Sequence, residues 1–146
     1  VLSAEYSPDG RFIVATSGED AWVCDPNRGN VVKTLDGHTG QVNSASFSPD
    51  SRLIVTASAD NTARIWNAET GESIATLLHH KGPVLNALFS PDGKSVFTAS
   101  EDYTTGIYPR EAFAPFDEVR ALISQRVTRE LTPKEREDYL KEPENR

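Results

Sequence analysis

A turn motif that recurs three times constrains the fold of this chain more than any other feature. Ser-Pro-Asp-Gly stands at 7–10 and again at 90–93, and Ser-Pro-Asp-Ser stands at 48–51. Proline presets φ for the first central position of a turn, and Asp and Gly complete a tight reversal between two antiparallel strands. A spacing of about 40 residues therefore predicts a chain built from copies of one strand-rich unit.

Each turn motif is followed by a short run of β-branched and apolar residues, at 12–15, 53–56 and 96–99. Such runs predict strands that are buried on both faces. The middle unit continues with strands predicted at 62–66 and 73–77, each preceded by a polar turn. An all-β fold with four strands per unit is therefore expected.

Gly37-His38 opens the middle unit and Ile65-Trp66-Asn67 closes its third strand, with Phe47-Ser48-Pro49-Asp50 and Ser58-Ala59-Asp60 between them. With these residues the unit resembles a WD repeat, in which Trp-Asp stands at the position of Trp66-Asn67. The resemblance extends from residue 1 to about 109. It implies a WD-repeat β-propeller, with repeats at about 1–36, 37–78 and 79–109 forming about three four-stranded blades of a larger ring. It also implies a non-catalytic scaffold or sensor that contacts a protein or peptide.

In this family a His, a Ser or Thr, an Asp and a Trp form a hydrogen-bonded tetrad within each blade. The matching residues of the middle repeat are His38, Ser58, Asp60 and Trp66. The third repeat offers a degenerate set with a tyrosine at the Trp position: His80, Ser100, Asp102 and Tyr108. The first repeat has Cys24 at the Trp position, so its tetrad is predicted to be lost.

The composition changes after Pro109, which indicates a boundary there, and a C-terminal helical extension is predicted over 110–146. Residues 1–109 carry 13 acidic and 7 basic side chains, whereas 110–146 carry 9 and 8. An apolar stripe at helical spacing is formed by Val119, Leu122, Ile123 and Val127. This candidate docking face has two interpretations: it covers the edge of the last blade, or it binds a partner.

The segment Leu131 to Arg136 is similar to the C-terminal ends of large bacterial WD-repeat signalling proteins. This second resemblance implies the alternative that the chain is the regulatory part of an enzyme, with a P-loop NTPase, caspase-like peptidase or kinase upstream. The chain starts at Val1 and contains no Met, so we expect a piece of a longer protein. Further blades of that protein would then pack on an open blade face around residues 1–6.

Other kinds of chemistry find little support in the sequence. The net charge of −7 disfavours a nucleic-acid binder, and there is no apolar run long enough for a membrane span. The single cysteine, Cys24, suits a cytoplasmic setting. Cys24 and His38 are weak candidates for a nucleophile and its base. His79-His80 is a weak candidate for a metal site. No phosphate-binding loop is present. The segment is therefore predicted to be no enzyme and to need no cofactor or metal.

Overall fold

The structure, a computed structural model, describes residues 1–113 and consists there of three antiparallel sheets in chain order. The first sheet contains β1 (Ala4–Tyr6), β2 (Ile13–Ser17), β3 (Asp20–Cys24) and β4 (Val31–Leu35). The middle sheet contains β5 (Val42–Phe47), β6 (Leu53–Ser58), β7 (Ala63–Asn67) and β8 (Ser73–Leu77). The third contains β9 (Val84–Phe89), β10 (Ser95–Ser100) and β11 (Thr105–Pro109), followed by a 3-10 turn at Arg110–Ala112. We call these sheets the first, middle and third blades.

The turn motif forms the same hydrogen bonds in every blade. In the middle blade the Ser48 hydroxyl donates to Asp50 Oδ1 at 2.6 Å and accepts the Leu53 N–H at 2.9 Å. Asp50 Oδ1 also accepts the Arg52 N–H at 3.1 Å. The first and third blades repeat these contacts within 0.1 Å, at Ser7–Asp9 and Ser90–Asp92. One local hydrogen-bond pattern therefore sets the register of the first hairpin in all three blades.

The core lies between the blades rather than within any one of them. One apolar cluster joins the first blade to the middle blade and includes Val14, Val23, Leu35, Phe47, Ile54 and Trp66. A second cluster joins the middle blade to the third and includes Val55, Ile65, Leu77, Val84, Phe89 and Val96. Because side chains alternate along a strand, the middle blade contributes one face to each cluster.

Burial on both faces, predicted for the strand after each turn motif, holds only for β6. All six residues of β6 are buried, whereas β2 and β10 alternate between buried and more exposed positions. The prediction is wrong for β2 and β10 because, within residues 1–113, each outer blade has a neighbouring sheet on one side only. Within residues 1–113 the third blade also has three strands rather than four.

The predicted helical extension lies outside the described residues from 114 onward, and so does the candidate docking face at Val119, Leu122, Ile123 and Val127. The described chain ends with Phe113, which is buried and packs edge-to-face on Phe89 at 6.1 Å between ring centroids. The core between the middle and third blades therefore extends four residues beyond β11.

Candidate functional site

A loop and a turn meet at one end of the middle blade and enclose a buried histidine. His38 lies in the connection between β4 and β5, and Asp60 lies in the turn between β6 and β7. The two segments approach so closely that a Cβ on Gly40 would lie 2.8 Å from the backbone nitrogen of Asp60. Glycine at this position is what allows the loop to pack on the turn.

One side chain, Thr56, joins His38 to the tryptophan of β7, and Asp60 binds the other side of the imidazole. His38 Nδ1 lies 2.7 Å from Asp60 Oδ2, and His38 Nε2 lies 2.7 Å from the Thr56 hydroxyl. The same hydroxyl accepts the indole N–H of Trp66 at 2.8 Å. The four side chains joined by these hydrogen bonds are all buried or nearly so. We call His38, Thr56, Asp60 and Trp66 the middle-blade network.

The direction of each hydrogen bond in the network follows from the donors available. An indole N–H can only donate, so the Thr56 oxygen accepts from it and the Thr56 proton goes to His38 Nε2. The neutral imidazole then carries its proton on Nδ1 and donates it to Asp60. If Nε2 were also protonated, the Thr56 oxygen would accept from both His38 and Trp66 and its own proton would lose its acceptor in the network, so the network favours neutral histidine.

The pKa values of the two ionisable groups agree with this arrangement. Burial lowers the pKa of His38 below its ordinary value of 6.5, although Asp60 opposes the shift. Burial acts to raise the pKa of Asp60, but hydrogen bonds from Thr62 and His38 outweigh it and hold the pKa at about 2. The site is therefore a neutral imidazole beside a carboxylate at physiological pH.

Ser58, which the sequence analysis places in the tetrad, does not join His38 to Trp66. Its hydroxyl donates to the Gly40 carbonyl at 2.8 Å and accepts the Asp60 N–H at 3.1 Å. Thr56 takes the position instead, because Ile54 is the register partner of Trp66 and Thr56 is only two residues away. Ser58 is four residues away, about 13 Å along the strand. Both hydroxyls repeat in the third blade, as Thr98 and Ser100, so repetition in the sequence does not distinguish Thr56 from Ser58.

The third blade repeats the histidine part of the network but not its aromatic end. His80 Nε2 lies 2.7 Å from the Thr98 hydroxyl, and His80 Nδ1 lies 3.1 Å from both Asp102 and Thr104. Tyr108 occupies the tryptophan position, yet its buried hydroxyl has no hydrogen-bond partner among residues 1–113. Burial raises the pKa of Tyr108, although the neighbouring Thr98 hydroxyl acts to lower it.

The remaining predicted residues of the third and first blades are placed as follows. The Ser100 hydroxyl donates to the Gly82 carbonyl at 2.9 Å, as Ser58 does to Gly40. In the first blade Cys24 pairs with Ile13 across the sheet, as Trp66 pairs with Ile54 in the middle blade. Cys24 is only half-buried, because this face of the first blade packs against no sheet among the described residues.

No cluster suited to chemistry accompanies these networks. Within residues 1–113 no group of three or more His, Cys, Asp or Glu side chains is placed to hold a metal ion. His79 is exposed beside His80, and His38 hydrogen-bonds to side chains of its own blade rather than to Cys24. Over the same residues no helix is long and apolar enough to cross a membrane.

A cleft of about 450 Å³ opens at the other end of the sheets, between the first and middle blades. Its charged lining combines Asp9, Asp50 and Glu69 with Arg11, Lys33 and Arg52. Because the two signs are balanced, the cleft has no net charge that would select an anion or a cation.

The loops at the histidine end of the third blade carry exposed apolar side chains. Leu78, in the connection between β8 and β9, is 78% exposed, and Tyr103, in the turn between β10 and β11, is 100% exposed. The equivalent positions of the middle blade hold Asp36 and Asn61. The two blades therefore share a buried framework and differ in what they present to solvent.

Repeated antiparallel sheets of three or four strands, with hydrogen bonds from a buried His through Thr to Trp in the middle one, are typical of a WD-repeat protein, and the comparison with known families agrees. The WD domain, G-beta repeat model matches residues 29–67 and 71–108. These matches cover 77 of the 146 residues, 39 in the first and 38 in the second, so the chain belongs to the WD-repeat family. The predicted fold class is confirmed.

Several characterised proteins are similar to part of the chain. Eukaryotic translation initiation factor 3 subunit I of Phaeosphaeria nodorum is 35% identical over 72 residues, 49% of this chain and 21% of that protein. Pre-mRNA-processing factor 19 homolog 2 of Arabidopsis thaliana is 46% identical over 56 residues, 37% of this chain and 11% of that protein. Human serine-threonine kinase receptor-associated protein is 35% identical over 74 residues, 49% of this chain and 21% of that protein. The chain thus spans about a fifth or less of the length of these relatives.

Proposed function

We propose that this chain is a non-catalytic protein-interaction module whose contact surface is formed by the loops at the histidine end of the blades. The observation that carries the proposal is the contrast between the middle and third blades. Leu78 and Tyr103 of the third blade stand at the positions that Asp36 and Asn61 occupy on the corresponding loops of the middle blade. Exposed large apolar side chains on an ordered surface are typical of protein contacts.

The loops that carry these side chains are held in place by hydrogen bonds. Asp102 Oδ2 accepts the Lys81 N–H at 2.8 Å, and the Ser100 hydroxyl donates to the Gly82 carbonyl at 2.9 Å. The connection before β9 and the turn before β11 are thus tied to each other. Ordering the loops before binding reduces the entropy lost when a partner binds.

Tyr103 adds a second argument. Its φ of 66° lies in the left-handed region, which costs a bulky side chain about 1 kcal/mol or more. With full exposure, the tyrosine gains no packing within residues 1–113 that would offset this strain. A protein contact supplies the compensation.

The names of two relatives point in the same direction. One is a subunit of a translation initiation factor, and another is a receptor-associated protein. WD-repeat domains are typically scaffolds of this kind, and the proposal brings only that general role to this chain. The partner we propose is a protein or peptide, not a nucleic acid or a membrane, in keeping with the net charge of −7.

Photo-crosslinking from chosen positions tests this surface. A benzoyl-phenylalanine at Tyr103 or Leu78 of the full chain, expressed in its own cells, should give discrete protein adducts. The same group at Glu69, an exposed position at the other end of the sheets, is the control and should give none. The identified partner, once purified, should bind Tyr103→Asn at least about tenfold more weakly than wild type. Adducts equal to those from Glu69, or unchanged affinity, would contradict the proposal.

The setting in which the module works is a further part of the proposal, supported by the tail sequence at 131–136. It is a cytoplasmic bacterial signalling protein in which these residues follow other domains and further propeller blades. The alternative function, regulation of an enzyme, requires a catalytic domain upstream. The sequence preceding Val1 decides between them: a P-loop, a kinase domain or a Cys/His pair there supports the regulatory function, and blades alone contradict it.

A further inference from the structure

The cleft between the first and middle blades differs from the equivalent place between the middle and third blades by one missing side chain. Ala68 lines the cleft, and its N–H donates to the Arg52 carbonyl at 2.9 Å. Arg110 is the equivalent residue of the third blade, because its N–H donates to the Lys94 carbonyl at 2.8 Å. The cleft therefore has a methyl group where the second interface has a guanidinium.

The Arg110 side chain shows what this position accommodates. Arg110 is half-buried, and its Nη1 donates to the Gly93 carbonyl of the third blade at 3.5 Å. Its charge also acts on Asp50 of the middle blade. Burial acts to raise the pKa of Asp50, but hydrogen bonds within the turn and the charge of Arg110 outweigh it and lower the pKa. A guanidinium thus lies near a carboxylate of one blade and against a turn carbonyl of the next.

The same two acceptors are present in the cleft that lacks a guanidinium. Asp9 is the equivalent of Asp50, 41 residues earlier, and lies in the same kind of turn. Ser51 is the equivalent of Gly93 and has the same left-handed backbone, with a φ of 62° against 69°. The Asp9 N–H donates to Ser51 Oγ at 3.1 Å and joins the two turns. The Asp9 carboxylate and the Ser51 carbonyl are therefore held close together at the cleft.

A lysine of β4 is the second difference between the two interfaces. Lys33 lines the cleft, and the equivalent residue of β8, 42 positions later, is Ala75. The stem of Lys33 lies beside Gly71 of the middle blade, where a Cβ would come within 3.5 Å of Lys33 Cβ. Among the described residues 1–113, Lys33 forms no ion pair. The cleft thus lacks one cation of the second interface and has another on its opposite wall.

We propose that this cleft binds a small molecule that carries a guanidinium group and a carboxylate, as arginine does. The guanidinium lies between the Asp9 carboxylate and the Ser51 carbonyl, and the carboxylate pairs with Lys33. The apolar chain between the two groups packs on Phe12 and Val32, which also line the cleft. A ligand with both signs suits the balanced charges of the lining, and a volume of about 450 Å³ is typical of small-molecule sites.

The other cations of the cleft do not exclude a guanidinium. Arg11 and Arg52 line the cleft, and the residues equivalent to them in the second interface are Arg52 and Lys94. Arg110 is accommodated beside that second pair. In the cleft, Arg11 is also directed towards Phe12, with its Cζ 5.2 Å from the ring centroid. The repulsion that a bound guanidinium meets is therefore one that the fold already tolerates.

NMR titration of the full chain with L-arginine, agmatine and L-citrulline tests the proposal. Arginine should shift the amide signals of Asp9 and Ala68 and saturate one site with a Kd of about 1–5 mM. Agmatine lacks the carboxylate and citrulline lacks the charge of the guanidinium, so each should bind at least about tenfold more weakly. No saturable binding of arginine up to about 20 mM, or equal binding of the three compounds, overturns the proposal.

Two substitutions assign the two ends of the ligand. Asp9→Asn keeps an acceptor for the turn but removes the charge, so arginine should bind at least about tenfold more weakly. Asp92→Asn, the same change in the equivalent turn of the third blade, is the matched control and should bind arginine as wild type does. Lys33→Ala, which reproduces Ala75, should weaken arginine and leave agmatine unchanged. Equal effects of Asp9→Asn and Asp92→Asn, or full arginine affinity in Lys33→Ala, overturn the proposed contacts.

Arg110→Ala tests the equivalence of the two interfaces by opening a second site. It removes the guanidinium beside Asp50 and Gly93 but supplies no counterpart of Lys33, so agmatine should bind this variant at two sites instead of one. Shift changes confined to the first cleft overturn the equivalence on which the proposal rests. Tyr103→Asn, at the other end of the sheets, should bind arginine as wild type does, which separates this site from the protein-contact surface proposed above.

Discussion

The Thr56 hydroxyl is the group on which the middle-blade network depends most, because it accepts a hydrogen bond from Trp66 and donates one to His38. Thr56→Val keeps the shape of the side chain and leaves two buried polar groups without a partner. Each unsatisfied group costs about 1–3 kcal/mol, so we expect the free energy of unfolding to fall by about 2–4 kcal/mol. Urea denaturation followed by Trp fluorescence measures the change.

The third blade supplies a matched control for this substitution. The Thr98 hydroxyl hydrogen-bonds to His80, whereas the neighbouring Tyr108 hydroxyl forms no hydrogen bond within residues 1–113. Thr98→Val should therefore cost only about half as much, about 1–2 kcal/mol. Equal losses for the two variants would mean that the Trp66 hydrogen bond contributes nothing to stability.

Protonation of His38 provides a second test at this scale. Its pKa is lowered in the folded chain, so the unfolded chain takes up the proton first as the pH falls. The stabilisation that comes from keeping His38 neutral is fully present above 6.5, the pKa of histidine in the unfolded chain. It is lost as the pH falls through the lower pKa of His38 in the folded chain. A second loss of stability follows below 3.8, the ordinary pKa of Asp, as the pH falls towards the pKa of about 2 that Asp60 has in the folded chain.

Urea denaturation between pH 7.5 and 5.5, together with NMR titration of the imidazole, measures this effect. His79→Asn should retain the pH dependence, because His79 is exposed and outside the network. Titration of His38 at or above 6.5 would contradict the protonation state deduced from the hydrogen bonds.

The sequence pattern identifies His38, Asp60 and Trp66 but not the hydroxyl that connects them. Ser58 and Thr56 lie on the same side of β6, and both have a hydroxyl group. Only the register between β6 and β7 distinguishes them, since it places Ile54 opposite Trp66. Register depends on pairing between strands, which a single sequence does not specify at the level of one residue pair.

At the scale of the hairpin, the turn between β10 and β11 is strained where its counterpart is not. Tyr103 and Asn61 have φ values of 66° and 70°, and asparagine tolerates this region far better than tyrosine. Tyr103→Asn should therefore raise the free energy of unfolding by about 0.5–1 kcal/mol, because the exposed ring gives up no packing. Urea denaturation of the full chain measures the gain.

The reciprocal variant, Asn61→Tyr, should lose stability by a similar amount. If Tyr103→Asn is destabilising instead, the ring makes contacts that its full exposure does not predict. A more stable variant with weaker partner binding would place the tyrosine among residues retained for function at a cost in stability.

The hairpins are the part of the fold that the sequence predicts best. Ser48 and Asp50 hydrogen-bond within their own turn, so the information needed to form it lies in a few adjacent residues. The strand β8 is predicted at 73–77 and found at Ser73–Leu77. Faces are harder to predict, because β2 and β10 are apolar on both sides although, within residues 1–113, only one side of each strand is covered.

For the whole molecule, the order of the blades sets a gradient of stability. The β6 strand is flanked by β5 and β7 and covered on both faces, whereas β1 pairs only with β2 and is exposed throughout. The β10 strand is intermediate, since it is central in its sheet but covered on one face only by the described residues 1–113. Backbone amides exchange through local openings that require less free energy where fewer contacts are broken.

Hydrogen exchange, measured on the chain at low concentration, should therefore be slowest in β6, intermediate in β10 and fastest in β1, with rates in β6 and β1 about 100-fold or more apart. Uniform protection of the three strands would instead mean that the blades unfold as a single cooperative unit.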